Sequence, residues 1–184
     1  MPPAEPDSDH DRAAEPDADP EAVARTICLR LLTVRARTRA ELGEALAARA
    51  VPEAAATKVL DRLTEVGLID DQAYATSYVS SRQRDRGLAV REISRQLRDK
   101  GVDEAVITAA VSDVDADAEA AAARQLVVRK LRSMGRLAPE VKTRRLVGML
   151  ARKGYPPAMA FQIVRATVGE SADQAAAADT AWLA

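Results

Sequence analysis

The apolar residues along most of this chain recur at the spacing of α-helices. Between Val23 and Val34, and again between Val90 and Leu97, successive apolar positions lie three or four residues apart. This spacing places the apolar side chains on one face of a helix and leaves the opposite face polar. The pattern predicts an all-α protein made of short amphipathic helices.

Residues with defined roles at helix ends mark the boundaries between these helices. Thr38 and Glu41 have the spacing of a capping box, which starts a helix after Thr38. Gly67 is suited to end a helix in the left-handed conformation, and Asp70 is suited to cap the next one. Gly87 then breaks the helix that begins after Asp70. The segment around Gly67 to Gly87 therefore predicts one complete helix followed by a basic elbow.

Internal repetition gives the strongest indication of architecture. Three segments beginning at Glu41, Glu92 and Arg145 align without gaps, at offsets of 51 and 53 residues. In each, a helix is followed by a tight turn and a further helix, and the turn holds a glycine in all but the first segment, where Ala50 replaces it. The repetition predicts three tandem modules of three helices each. At Ala50 the left-handed cap is expected to be either strained or absent.

The expected organisation has a tail at each end of these modules. Residues 1–20 are rich in Pro, Asp, Ala and Glu with little to bury, so they are expected to be disordered. The last helix is expected to end at Gly169, with a tail after it. The predicted segments are an acidic tail, modules 1, 2 and 3, and a C-terminal tail, over residues 1–20, 21–69, 70–115, 116–169 and 170–184.

The charge is segregated along the chain, although the net charge is only −1. Residues 1–21 contain eight acids and one base, whereas residues 124–153 contain ten bases and one acid. A basic run of this kind is a candidate surface for a polyanion. A solvated face on an arginine-rich protein explains the same run equally well.

The composition argues against most enzyme chemistry. Cys28 is the only cysteine and lies in an apolar helical pattern, which favours a buried structural thiol. The only histidine, His10, lies in the tail, so no Cys/His zinc site and no Ser-His or Cys-His pair is expected. Capping accounts for the Asp70 and Asp71 carboxylates. A protein without enzymatic activity, cofactor or metal is therefore expected, and the absence of a signal peptide or long apolar run favours the cytoplasm.

Two helices joined by a short glycine turn also suit a helix-turn-helix DNA-binding protein. In module 2, however, the third helix, from Asp103 to Asp115, contains acids and no base. That charge is wrong for a helix in the major groove. The arginine-bearing first and second helices are better candidates if the protein contacts nucleic acid, and a direct DNA-binding regulator stays open as the alternative function.

The most specific motif is G-L-I-D-D-Q-A-Y-A from Gly67, followed by I-S-R-Q-L-R-D-K-G-V from Ile93. With these motifs, and with L-R-L-L-T-V-R-A-R-T-R-A-E-L from Leu29, the sequence resembles the RecX family of bacterial recombination regulators over about residues 25–168. Gln96 and Ala50 depart from the residues usual in that family, Glu and Gly respectively.

The resemblance implies an elongated, curved array of nine helices that binds RecA and its filament on single-stranded DNA. Such proteins inhibit filament extension, ATP hydrolysis, strand exchange and coprotease activity in recombination and the SOS response to DNA damage. Weak direct DNA binding stays open as a further property. The stacking of bases on Tyr74 and Tyr78 is also open, although packing in the core is favoured. The expected partner-binding residues are Arg82, Arg84, Arg86, Arg91, Arg95, Arg98, Arg129, Lys130, Arg132 and Arg136.

Overall fold

The computed structural model describes the backbone of residues 19–135 and 137–181, and the side chains as far as Ser171. Over these residues the chain forms nine α-helices and no strand. The all-α prediction and the tandem three-helix arrangement are confirmed. The helices are α1 Pro20–Val34, α2 Arg39–Ala47, α3 Glu53–Glu65, α4 Asp71–Ser81, α5 Val90–Asp99, α6 Glu104–Val111, α7 Ala116–Leu131, α8 Pro139–Arg152 and α9 Pro157–Ala181.

The helix starts follow the sequence signals. The Asp70 side chain accepts a hydrogen bond from the Ala73 amide at 2.8 Å and so caps α4. Thr38 and Glu41 form the expected capping box, in which each side chain accepts from the backbone amide of the other residue. Such bonds satisfy amides of the first turn that have no partner within the helix. The local sequence therefore determines where α2 and α4 begin.

The chain divides into two compact units between Ile69 and Asp70. The first unit comprises α1 to α3, and its core contains Cys28, Leu42, Leu46 and Leu60. Cys28 has no exposed surface, which confirms the prediction of a buried thiol. Burial raises the pKa of this thiol. The side chain therefore acts as a small apolar core residue.

The second unit contains modules 2 and 3, each with its own buried cluster. Ile93 and Leu97 of α5 pack with Val79 of α4 and Ile107 of α6 in module 2. The module 3 cluster is built from α7, α8 and α9, but it also includes one residue of module 2, Ala89, which is fully buried. The two modules are thus joined by packing as well as by the chain.

The repeated turn has the same backbone conformation in all three modules. The φ angle is 56° at Ala50, 70° at Gly101 and 90° at Gly154. The left-handed conformation is thus present in module 1, and of the two outcomes expected at Ala50 the structure shows strain. Its Cβ lies close to the following carbonyl oxygen, which costs about 1–2 kcal/mol.

The end of the last helix differs from the prediction. We expected α9 to stop at Gly169, but it continues to Ala181. The residues that follow Gly169 are rich in alanine, the strongest helix former, and this offsets a single glycine, which costs about 1 kcal/mol in a helix. Disorder was expected for residues 1–20, and of these only Asp19 and Pro20 belong to the described part of the chain. Arg136, one of the predicted site residues, also lies outside the described residues.

Candidate polyanion interface

The basic elbow, residues Arg82–Gly87, consists of a single π-helical turn, Arg82–Arg86, that continues α4, and the glycine that ends it. Gly87 ends it in the left-handed conformation, with φ 55°, so the sequence prediction of a break at Gly87 is confirmed. A π-helical turn is rare and occurs often at functional sites. Arg84 and Arg86 are exposed on it, whereas Arg82 is half-buried.

Arg82 faces the protein and contacts an aromatic pair on α4. Its guanidinium carbon lies 4.5 Å from the ring centre of Tyr78. Tyr78 in turn stacks on Tyr74, with ring centres 5.9 Å apart, and the Lys100 ammonium lies 5.9 Å from the Tyr78 ring. Both tyrosines pack against the module 2 core. This packing agrees with the structural role favoured for them from the sequence.

The elbow is attached to module 3 by backbone and side-chain hydrogen bonds. The Ala89 amide donates to the Lys153 carbonyl oxygen at 2.9 Å, and the Tyr155 hydroxyl donates to the Gly87 carbonyl oxygen at 3.3 Å. The Lys153 ammonium donates to the Arg86 carbonyl oxygen. We call this contact between residues 86–92 and module 3 the junction. Burial, and secondarily the charge of Glu119, raise the pKa of Tyr155 to about 12.

The start of α5 extends the junction. Glu119 of α7 accepts a hydrogen bond from the Val90 amide at 2.7 Å, which satisfies an amide in the first turn of α5. Gly154 lies directly against Glu92, because a Cβ added to Gly154 would lie only 2.5 Å from the Cβ of Glu92. These contacts hold modules 2 and 3 in a defined arrangement.

The junction brings cations from distant parts of the sequence together. The pKa of Lys153 is lowered by burial and then by the charges of Arg129 and Arg86. Charges affect a pKa in this way only when they lie near the titrating group. Lys153 therefore lies near the charge of Arg129, in the last turn of α7, and near that of Arg86, whose carbonyl oxygen accepts its hydrogen bond. One predicted site residue from each of two groups that are separate in the sequence thus lies near Lys153.

The arginines of α5 are in a different electrostatic setting. Arg95 forms ion pairs with Glu92 and Asp99, both at 2.7 Å, and Arg98 forms a two-bond pair with Glu104 at 2.7 Å. Hydrogen bonds from Arg95 and then Gln96 lower the pKa of Glu92 to about 2. Carboxylates of the protein thus neutralise Arg95 and Arg98.

Besides Arg82, six of the predicted site residues have no ion pair among the described residues. All six side chains are exposed, so their charges are available to a partner. Arg132 lies in the 3-10 turn that follows α7, and the others lie on the elbow, α5 and α7. They are Arg84, Arg86, Arg91, Arg129, Lys130 and Arg132.

Sequence reasoning did not find the role of Lys153 or the junction around it. Lys153 was visible only as one member of a long basic run, and the contacts with Arg86 and Ala89 span more than sixty residues of chain. The pairing of Arg95 did have a signal, because Glu92 and Asp99 lie three residues before and four residues after it. That spacing predicts ion pairs on a helix surface.

The described residues offer no support for a metal centre or a membrane segment. Among residues 19–135 and 137–181, no group of three or more His, Cys, Asp or Glu side chains is placed to hold a metal ion. No helix in this part of the chain has the length and apolar character needed to cross a membrane.

The fold defines a class of tandem three-helix repeat proteins, which in this chain has exposed cations on the elbow, on α5, on α7 and in the turn after α7. Comparison with known families is more specific. Residues 24–63, 70–111 and 117–164 match the family models for the first, second and third three-helix domains of RecX. The chain belongs to the RecX family of regulatory proteins.

Individual relatives agree with this assignment. The chain is 52% identical over 159 residues to regulatory protein RecX of Streptomyces coelicolor, which covers 86% of this chain and 85% of the relative. It is 50% identical over 160 residues to regulatory protein RecX of Mycolicibacterium smegmatis, covering 85% of each.

Two solved structures share the fold. RecX from Lactobacillus salivarius superposes with a TM-score of 0.72 at 20% identity, covering 81% of this chain and 97% of that protein. A second crystal structure of regulatory protein RecX gives a TM-score of 0.69 at 25% identity, covering 80% of this chain and 72% of the other. Membership in the family and the tandem helical fold predicted from the sequence are thereby confirmed.

Proposed function

We propose that this protein binds RecA and the RecA filament on single-stranded DNA and restrains the filament. The expected consequences are inhibition of filament extension, ATP hydrolysis, strand exchange and coprotease activity during recombination and the DNA-damage response. Membership in a family of regulatory proteins supports a regulatory role. Because RecA and chromosomal DNA lie in the bacterial cytoplasm, we place the protein there as well.

The observation that carries this proposal is the set of exposed cations without ion pairs in the second unit. The arginines of α5 that pair, Arg95 and Arg98, do so with the protein's own carboxylates. Arg84, Arg86 and Arg129 are left without such carboxylates. Arginine suits both phosphate and carboxylate groups through its forked donors, and a RecA filament on DNA supplies both kinds of group.

The proposed interface keeps all the residues predicted from the sequence, but their expected contributions differ. The unpaired cations of the elbow and α7 contact the partner directly. Arg95 and Arg98 contribute less, because the partner has to displace Glu92, Asp99 or Glu104 before it binds them. The protein acts by binding, without a catalytic step of its own.

The test is RecA-driven ATP hydrolysis on single-stranded DNA. Purified protein is expected to slow hydrolysis at less than one molecule per RecA, whereas no effect at equimolar protein contradicts the proposal. The double variant Arg86→Glu with Arg129→Glu is expected to lose most of this inhibition.

Arg25→Glu with Arg30→Glu is the matched control, because it changes the net charge equally at exposed positions of α1. Equal losses of inhibition in the Arg86/Arg129 and Arg25/Arg30 double variants show a general effect of charge and contradict the proposed interface.

The same cations also suit direct binding to duplex DNA, which is the second candidate function. In module 2, the third helix, α6, contains no base, and its Glu104 pairs with Arg98. Binding measurements without RecA separate the two candidates. Sequence-specific duplex binding favours a direct DNA-binding regulator, whereas weak, salt-sensitive binding is compatible with both candidates.

A further inference from the structure

We infer that Lys153, Arg86 and Arg129 form a binding site for a phosphate group in the backbone of single-stranded nucleic acid. The inference deepens the proposed function and rests on it, because it names the part of the polyanionic filament that the junction contacts. Lys153 was not among the residues expected to bind a partner. The argument depends on how the junction positions this side chain.

The first step is the position of the Lys153 ammonium. Its hydrogen bond to the Arg86 carbonyl oxygen places it at the end of the elbow. An ammonium has three donors, so this bond leaves donors for another acceptor. The side chain is half-buried and keeps solvent access. A phosphate oxygen can therefore accept a hydrogen bond from one of the remaining donors.

The second step is the charge around Lys153. Arg86 and Arg129 lie close enough to lower the pKa of the ammonium, in addition to the effect of its burial. Neither arginine forms an ion pair with a described carboxylate. Like charges held together in this way raise the free energy of the unliganded protein. An anion bound among them removes that repulsion, and part of its affinity comes from this relief.

The third step is rigidity. The Ala89 amide bonds the Lys153 carbonyl oxygen at 2.9 Å, and Gly154 packs against both the Cβ and the backbone nitrogen of Glu92. These contacts fix the backbone of Lys153 relative to the elbow. A site held in place before binding loses less conformational freedom on binding than separate surface lysines do.

The fourth step is the choice of a nucleic acid over an acidic protein surface. Further exposed cations without ion pairs lie close in sequence to the two arginines, with Arg84 on the elbow and Lys130 and Arg132 after Arg129. A single strand carries one negative charge per nucleotide, so it offers several phosphates to several cations, and we infer a nucleic acid for this reason.

The experiment measures binding of the full-length protein to a fluorescent oligo(dT) without RecA, over a range of salt concentrations. Lys153→Met removes the charge and retains most of the apolar stem. The slope of log affinity against log salt is expected to fall in magnitude by about 0.7, the value for one phosphate contact on a single strand. Affinity near 0.1 M salt is expected to drop roughly three- to tenfold.

Lys153→Arg keeps the charge and is expected to keep the slope. Arg25→Gln is the matched control for loss of one exposed charge, since Arg25 lies on α1 outside the proposed interface. It is expected to leave the slope unchanged. Helicity and thermal unfolding of each variant are recorded with the binding data.

Three outcomes overturn the inference. One is a Lys153→Met variant with unchanged slope and affinity. Another is equal loss of binding and stability in the Met and Arg variants, which makes Lys153 only a structural partner of the Arg86 carbonyl. The third is unchanged oligo(dT) binding with lost inhibition of RecA, which assigns the cluster to an acidic protein surface. Failure of the proposed function is distinguished from these outcomes by a different measurement. In that case the unaltered protein does not inhibit RecA.

Discussion

Ala50 is the residue at which module 1 departs from the other modules. It adopts φ 56° in a turn where modules 2 and 3 have Gly101 and Gly154. The conformation is retained because the neighbouring helices and the Val51 amide, which donates to the Leu46 carbonyl oxygen at 3.2 Å, hold the turn closed. The protein therefore carries a local strain that the sequence repeat itself identifies.

Ala50→Gly is expected to increase the free energy of unfolding by about 0.5–1 kcal/mol. Relief of the left-handed strain contributes about 1–2 kcal/mol, and the greater freedom of glycine in the unfolded chain removes about 0.4–1 kcal/mol. Urea unfolding measures the change. Ala48→Gly is the control, because Ala48 in the same turn has a right-handed conformation, with φ −61°. Ala48→Gly is expected to destabilise, and equal effects at the two positions contradict the explanation.

At the scale of elements, the turn between α8 and α9 is closely packed. Gly154 combines φ 90° with direct contact to Glu92 on α5, whose backbone nitrogen lies 3.0 Å from the position of an added Cβ. Gly67 has a similar conformation, with φ 72°, but nothing lies within 4 Å of its added Cβ. Comparison of alanine substitutions at Gly67 and Gly154 therefore separates the free-energy cost of the left-handed conformation from the cost of close packing.

Gly154→Ala is expected to destabilise the protein by about 3 kcal/mol, and Gly67→Ala by about 1 kcal/mol. The difference arises because a methyl group at Gly154 has to push apart α5 and the turn before α9. Denaturant unfolding of both variants measures it. Similar decreases in the free energy of unfolding for the two substitutions contradict this explanation. They indicate that Glu92 moves away from an added methyl group at little cost in free energy.

Local features of the elements were predictable from the sequence. Caps at Thr38 and Asp70, and the break at Gly87, depend on residues within a few positions of each helix end. The continuation of α9 past Gly169 was missed because glycine was weighted above the alanine-rich sequence that follows. The burial of Ala89 in the module 3 core, two residues after the elbow, is a tertiary contact that such local signals do not report.

The candidate site was less accessible to sequence reasoning. Exposed arginines were visible as charge, but the sequence does not show which of them find carboxylates across a turn, as Arg98 does with Glu104. The meeting of Lys153 with Arg86 is a tertiary contact between modules. Patterns of three and four residues report helix faces, and they contain no information on contacts of that range.

For the whole molecule, the distribution of charge matters more than its sum. Residues 1–18 contain six acids and one base, although the net charge of the chain is only −1. Removal of these residues leaves α1 intact, since Asp19 remains to cap it. The remaining chain is basic overall.

Deletion of residues 1–18 is expected to tighten binding to oligo(dT) roughly three- to tenfold at about 0.05 M salt. The gain is expected to shrink as salt rises, because screening reduces interactions between separated charges. Replacement of the six acids by Asn or Gln, at unchanged length, is expected to give the same gain. A gain in affinity that persists at high salt contradicts a purely electrostatic origin. So does a gain that the deletion produces and the replacement of the six acids does not.

The burial of Ala89 in the core of module 3 also bears on hybrids between relatives. A chimera that exchanges module 3 alone separates Ala89 from the side chains that enclose it. It also replaces the residue whose carbonyl oxygen accepts the hydrogen bond of the Ala89 amide, Lys153. Crossover points at the apparent repeat boundary near residue 115 therefore cut through a shared core. Crossovers between Ile69 and Asp70 leave that core whole, so modules 2 and 3 are best inherited as a pair.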